Sequence, residues 1–136
     1  MSEDQAILFA NEAFYSAFSS CDVMAMDAVW AIKAPLICVH PGGAPITGRA
    51  AIMASWTDIL NHQASGGMRF DGAKAVTIDD VAFVTCFERL GEGALSATNA
   101  FVREGRRWRM VLHHAGACVE APEPPRVATS EPGALH

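Results

Sequence analysis

The spacing of apolar residues changes at Gly66-Gly67, and that change limits the fold more than any other feature of the chain. Before this pair, apolar residues recur with the 3.6-residue period of a helix. After it, they fill runs of strand length separated by turn signals. Helices first and strands afterwards predicts an α+β domain whose helices cover one face of a sheet.

Three helices are expected. Ser2 and Gln5 have the S-x-x-Q spacing of a capping box, ahead of a stripe of Ile7, Phe14 and Phe18 flanked by Leu8 and Tyr15. Ser19-Ser20-Cys21 interrupts the pattern. Asp22 then caps a second helix with Val23, Met26 and Trp30 on its buried side, and Pro35 stops any continuation. Leu36 to His40 reads as a short strand and Pro41 to Pro45 as a loop. A third helix from about 49 to 63 carries Ile52, Met53, Trp56, Ile59 and Leu60 on one side. Four strands follow: Met68 to Ile78 with a bulge at Gly72, Val81 to Leu90, Ala94 to Arg103 and Arg106 to Val119. Their turns are expected at Asp79-Asp80, at a three-residue Gly91-Glu92-Gly93 loop and at Glu104-Gly105. The domain therefore spans 1–119, and the proline-rich tail 120–136 reads as extended and poorly ordered.

Those turns set an expected register, because side chains alternate between the two faces of a strand. Phe101 pairs with Trp108, Asn99 with Met110, Phe87 with Ala97 and Thr85 with Asn99. One face then carries Phe83, Thr85, Phe87, Leu95, Ala97, Asn99, Phe101, Trp108, Met110, Leu112 and His114, and the helices cover it. The opposite face carries Val84, Cys86, Ser96, Thr98, Ala100, Val102, Val111 and His113. It is half apolar, which predicts a homodimer packed sheet to sheet.

Composition narrows the partners. With 51% hydrophobic and 18% charged residues, a 136-residue chain buries a core without disulfides or metal. A net charge of −5 excludes the basic stripe of a nucleic-acid binder, and Arg103, Arg106, Arg107 and Arg109 read as a solvated hairpin tip. The acidic start Glu3-Asp4 is unlike a signal peptide, and no apolar run is long enough to cross a bilayer, so no membrane partner is expected. Cys21, Cys38, Cys86 and Cys118 form no C-x-x-C pair and read as reduced thiols of a cytoplasmic protein. No metal site, phosphate loop, dinucleotide fingerprint or nucleophile elbow is present, so no cofactor is expected.

Several stretches carry a resemblance. They are Ala13-Phe14-Tyr15-Ser16-Ala17-Phe18 with Asp22, Met26 and Trp30, then Val39-His40-Pro41-Gly42-Gly43, Thr47-Gly48-Arg49 and Ser55-Trp56. Ala97 to Val102, Trp108 to Val111 and His113-His114-Ala115 complete the set. Together they resemble the SnoaL-like branch of the nuclear-transport-factor-2-like superfamily, over roughly residues 4 to 119. The resemblance implies three helices packed on a strongly curved, mainly antiparallel sheet, forming a cone with an internal pocket, and usually a dimer. Its ketosteroid-isomerase-like branch places a base at His40 and a sheet donor at Asn99. The helix-one tyrosine of that branch falls at Phe14, beside Tyr15.

The candidate catalytic residues are accordingly His40, Asn99 and His114. His40 would move a proton, and Asn99 and His114 would polarise or position an oxygen. Phe14, Tyr15, Trp30, Trp56, Phe83, Thr85, Phe101, Trp108, Met110 and Leu112 are the expected pocket walls. Two function classes remain open. One is cofactor-independent proton-transfer chemistry (isomerase-, cyclase-, dehydratase- or hydrolase-like) on a small apolar or polyketide-like molecule. The other is a non-catalytic ligand-binding or dimeric protein-interaction module; a filled cone with no solvent path would leave only the protein-interaction module.

Overall fold

The computed structural model of the chain describes residues 1–126. Three helices, α1 (Glu3–Ser19), α2 (Val23–Val29) and α3 (Arg49–Asn61), alternate with and then precede strands. The strands are β1 (Ile37–Val39), β2 (Ile46–Thr47), β3 (Arg69–Ile78), β4 (Val81–Leu90), β5 (Gly93–Glu104) and β6 (Arg107–Ala117). They form one sheet in the order β2-β1-β6-β5-β4-β3, antiparallel except where β1 runs parallel to β6. The two-residue β2, which the sequence reading did not include, pairs with β1. Residues 121–126 carry no helix or strand, and the rest of the tail lies outside the described residues.

Local chemistry explains the helix starts. Ser2 accepts from the Gln5 amide while the Gln5 side chain accepts from the Ser2 amide, so the capping box closes. The Asp22 side chain accepts from the Ala25 amide and opens α2. The start of α3 has no side-chain cap; Gly48, at φ 86°, occupies that position.

Arg49 joins the end of α2 to the start of α3. Its guanidinium donates to Asp27 Oδ1 at 2.7 Å and to the backbone oxygens of Asp27 and Trp30 at 2.9 and 2.7 Å. Carbonyls at a helix C-terminus have no intrahelical donor, and a planar five-donor group can satisfy several at once. Arg49→Ala is expected to lower stability by roughly 2–3 kcal/mol, and Arg49→Lys to recover less than half of that loss, as read by urea denaturation.

The hairpin loops differ from the expected ones, and the faces change with them. Leu90 pairs with Gly93, so the β4–β5 loop has two residues, Gly91 and Glu92. That one-residue difference moves every β4 side chain to the other face. Val84 now lies opposite Asn99 and Cys86 opposite Ala97, all four buried, whereas Phe83, Thr85 and Phe87 face outward. The β5–β6 loop is Gly105-Arg106, since Glu104 pairs with Arg107. This slip leaves Trp108 and Met110 facing inward, but a bulge follows. Phe101 pairs with Met110, whereas Ala100 pairs with Leu112. The extra residue inverts the rest of the strand. His113 and Ala115 therefore point inward, and Leu112 and His114 point outward.

Between helices and sheet lies an aromatic core of Phe14, Trp30, Trp56, Phe101, Met26 and Met110, each 0% exposed. Phe14 meets Tyr15, Phe18 and Trp56 edge to face, with ring centres 4.8, 6.0 and 5.4 Å apart. Aromatic rings thus occupy much of the expected pocket, and a groove lined by Tyr15 and Phe70 reaches its edge. None of four surface grooves of about 560 to 740 Å³ is lined by Asn99, His113 or His40.

Candidate functional site

Inside the apolar core sits a polar cluster built from one helix and three strands. Asn11 and Tyr15, four residues apart, come from one side of α1. Cys86 and Glu88 come from β4, Asn99 from β5 and His113 from β6. All six are at most 3% exposed. Asn99 is the hub: its oxygen lies 2.6 Å from His113 Nδ1, and its Nδ2 donates to Asn11 Oδ1 at 2.8 Å and Tyr15 Oη at 3.2 Å. Tyr15 donates to Glu88 Oε2 at 2.6 Å and accepts from the Cys86 thiol at 3.3 Å. The phenol therefore uses one donor and two acceptor sites, its full capacity.

Proton positions follow from this pattern. The Asn99 oxygen can only accept, so His113 Nδ1 carries the hydrogen. Burial, with the nearby imidazoles of His40 and His114, pushes the His113 pKa down to about 3, which keeps the ring neutral. Its Nε2 lone pair then faces Glu88 Oε2 at 3.8 Å. Burial raises the Glu88 pKa, favouring the protonated acid, although the Tyr15 hydrogen bond opposes this. The phenol is held far above its ordinary value by burial and by the Glu88 charge. Burial also raises the Cys86 pKa to about 11, so this thiol stays protonated and donates. One buried spot thus holds a carboxyl with a raised pKa, a neutral imidazole acceptor, a phenol, a thiol and two amides. Asn11 Nδ2 remains without a hydrogen-bond partner, with the weakly accepting Cys86 sulfur as its polar neighbour.

The expected site residues divide among four places. Asn99 lies at the centre of the cluster, and Tyr15 belongs to it. Phe14, Trp30, Trp56, Phe101, Trp108 and Met110 pack in the surrounding core. Phe83, Thr85, Leu112 and His114 lie on the outer sheet face, because of the shortened loop and the bulge. His40 stands apart: its Nε2 is 2.6 Å from Ser55 Oγ, its ring meets Trp56 at 4.9 Å, and burial lowers its pKa. Glu88, His113 and Asn11 were missed as site residues. Glu88 and His113 are polar residues within apolar strand runs, a visible signal, but the expected register turned them away from Asn99. Among the described residues no group of three His, Cys, Asp or Glu side chains could hold a metal. No described helix is long and apolar enough to cross a membrane.

Residues 7–120 match the family described as SnoaL-like domain. The chain belongs to the SnoaL-like domain family. Solved structures agree with this assignment. A protein of the NTF2-like family from Streptomyces avermitilis, provisionally named a dehydratase, is 25% identical with a TM-score of 0.78, over 86% of this chain and 96% of its own. A Thiobacillus denitrificans protein, provisionally named a calcium/calmodulin-dependent protein kinase type II association domain, is 34% identical with a TM-score of 0.67. That match covers 80% of this chain and 92% of the other. The CaMKII hub of S. rosetta shares the fold at 16% identity and a TM-score of 0.69, over 87% of this chain and 98% of its own. No curated protein sequence matches. The SnoaL-like assignment accounts for the helix order and the curved sheet.

Proposed function

We propose that this SnoaL-like chain binds a small molecule at the Tyr15–Asn99–His113–Glu88 cluster and moves a proton on it. The observation that carries this reading is the Glu88 carboxyl, its pKa raised by burial, 3.8 Å from the His113 imidazole inside an apolar shell. A core built for stability alone gains little from such groups, because each buried polar atom costs free energy unless fully paired. Two titratable groups pushed in opposite directions are the arrangement that acid–base catalysis uses. Glu88, made more basic by burial, would take a proton from carbon, and Tyr15 would donate a hydrogen bond to the oxygen. This corresponds to isomerase-, cyclase- or dehydratase-type chemistry on a small apolar carbonyl or hydroxyl compound. The provisional naming of the Streptomyces avermitilis protein is consistent with it.

The test is deuterium uptake at the α-carbon of a panel of small ketones in D₂O. Catalysed uptake that disappears in Glu88→Gln is expected. No uptake, together with no movement of the His113 ring resonances on adding any ketone, would remove the reading.

A second property rests on a separate observation. The outer sheet face exposes Val76 and Ile78 at 57% each and Ile37 at 43%, beside partly buried Phe83, Val102 and Leu112. An apolar face of this kind suits a second copy. Light scattering is expected to give a dimer, and Val76→Glu with Phe83→Glu a monomer. A monomeric wild type at high micromolar concentration would exclude the dimer.

A further inference from the structure

One of the four surface grooves reaches a member of the cluster. It measures about 740 Å³ and is lined by Tyr15, Ser16, Ser65, Met68, Arg69 and Phe70, among others. Phe70 stands between this groove and the polar groups. It lies opposite Glu88 in the β3–β4 ladder, and its ring stacks on Tyr15 with centres 4.5 Å apart and planes 19° apart. The Tyr15 hydroxyl, at the far end of the same ring, bonds Glu88 and Asn99. The Tyr15 ring thus links the groove it lines to the cluster its hydroxyl belongs to.

The backbone beneath Phe70 is held. Asp71 is gripped by the Arg89 guanidinium through two bonds of 2.8 and 2.9 Å, and Arg89 also donates to the Pro122 carbonyl at 2.8 Å. A bulge lies between Asp71 and Lys74, at Gly72, φ 70°, where an added Cβ would come within 3.1 Å of the Phe87 ring. Strand β3 has a partner on one side only. With the chain pinned, the moving part is the Phe70 side chain, which is only partly buried and has the groove to turn into.

We propose that Phe70 is the gate and a specificity-determining residue of this site: its ring fills the slot on Tyr15 that a single planar ring of the ligand takes, and it turns into the groove to admit that ring. The proposal rests on the small-molecule reading above. The incoming ring replaces the stack that Phe70 gives up, so opening costs little when the ligand is flat. The slot is the size of one phenyl ring, so fused rings are disfavoured while Phe70 is present.

Tyr15 is the only tyrosine in the chain, so ring-¹³C tyrosine labelling gives one set of ring signals that reports this slot. Phenol and 2-naphthol serve as one-ring and two-ring probes, titrated while those signals are followed by NMR. Phenol is expected to shift them in Phe70→Ala at about tenfold lower concentration than in wild type, because the cost of displacing Phe70 is gone. In wild type, phenol should shift them and 2-naphthol should not; in Phe70→Ala both should. Phe70→Leu, which keeps apolar bulk without the flat ring, should fall between. Circular dichroism establishes that each variant is folded, and if alanine unfolds the chain the leucine comparison decides. Equal phenol concentrations at half-saturation in wild type and folded variants overturn the gate while leaving the small-molecule reading in place. No shift with phenol in any folded protein overturns the place-holder role and the small-molecule reading with it.

Discussion

Asn99→Ala is expected to destabilise the fold by about 3–4 kcal/mol, one of the two largest effects predicted here. The side chain bonds three partners, His113, Asn11 and Tyr15, at 2.6, 2.8 and 3.2 Å, and is 0% exposed. Its removal strands the His113 Nδ1 hydrogen and the Asn11 oxygen where water does not reach. Each orphan costs about 1–3 kcal/mol, and the lost volume adds to this. The melting temperature should fall by roughly 10 °C for a domain of this size. Asn99→Asp separates shape from bonding. One carboxylate oxygen still accepts from His113, but the other faces the Asn11 oxygen. That variant should regain stability as the pH falls and the acid protonates. A loss below about 1 kcal/mol in Asn99→Ala would mean that the cluster is wetter or looser than described.

The second large effect is a divergence between wild type and Glu88→Gln as pH changes. The folded pKa of His113 is about 3 against an ordinary 6.5. Between those values the unfolded chain binds the extra proton and the folded one does not. His113 therefore supports the fold fully above pH 6.5, and that support is lost as pH falls, at about 1.4 kcal/mol per pH unit. Glu88 acts in the opposite sense. Its folded pKa is raised above 4.5, so its contribution is complete below pH 4.5 and is lost as pH rises through the raised value. Above pH 4.5 the two slopes oppose each other, so the wild-type curve should be shallower there than that of a variant lacking the Glu88 carboxyl. Glutamine at 88 copies the protonated acid, accepting from Tyr15 and offering an N–H toward His113, but does not titrate. Glu88→Gln should gain about 3 kcal/mol from pH 4.5 to 6.5, read by urea denaturation at each pH. Two flat curves would show that His113 is not held neutral by burial.

The apolar periods, the Ser2–Gln5 capping box, Asp22 and Pro35 fixed the three helices, because those signals act within a few residues of themselves. The α+β class, the Gly72 bulge and the Asp79-Asp80 turn were legible for the same reason. Asn99 was legible as a site residue because an amide in the middle of an apolar strand must find partners wherever that strand packs. Its partners were not legible. Whether Glu88 or Phe87 faces Asn99 turns on one residue of loop length at Gly91. Whether His113 or His114 does turns on a bulge between Phe101 and the end of β6. Both are settled by how the sheet twists and by which side chains the helices can cover, and neither has a strong signature in Gly-Glu-Gly or Met-Val-Leu-His-His. The same long-range packing decided that Phe70, unremarkable in sequence, stands over Tyr15. The sequence by itself determined the three helices, the four long strands and the need for one sheet face to be covered. Only the tertiary structure decided which polar groups meet within it, because alternation along a strand makes every one-residue shift an exchange of inside for outside.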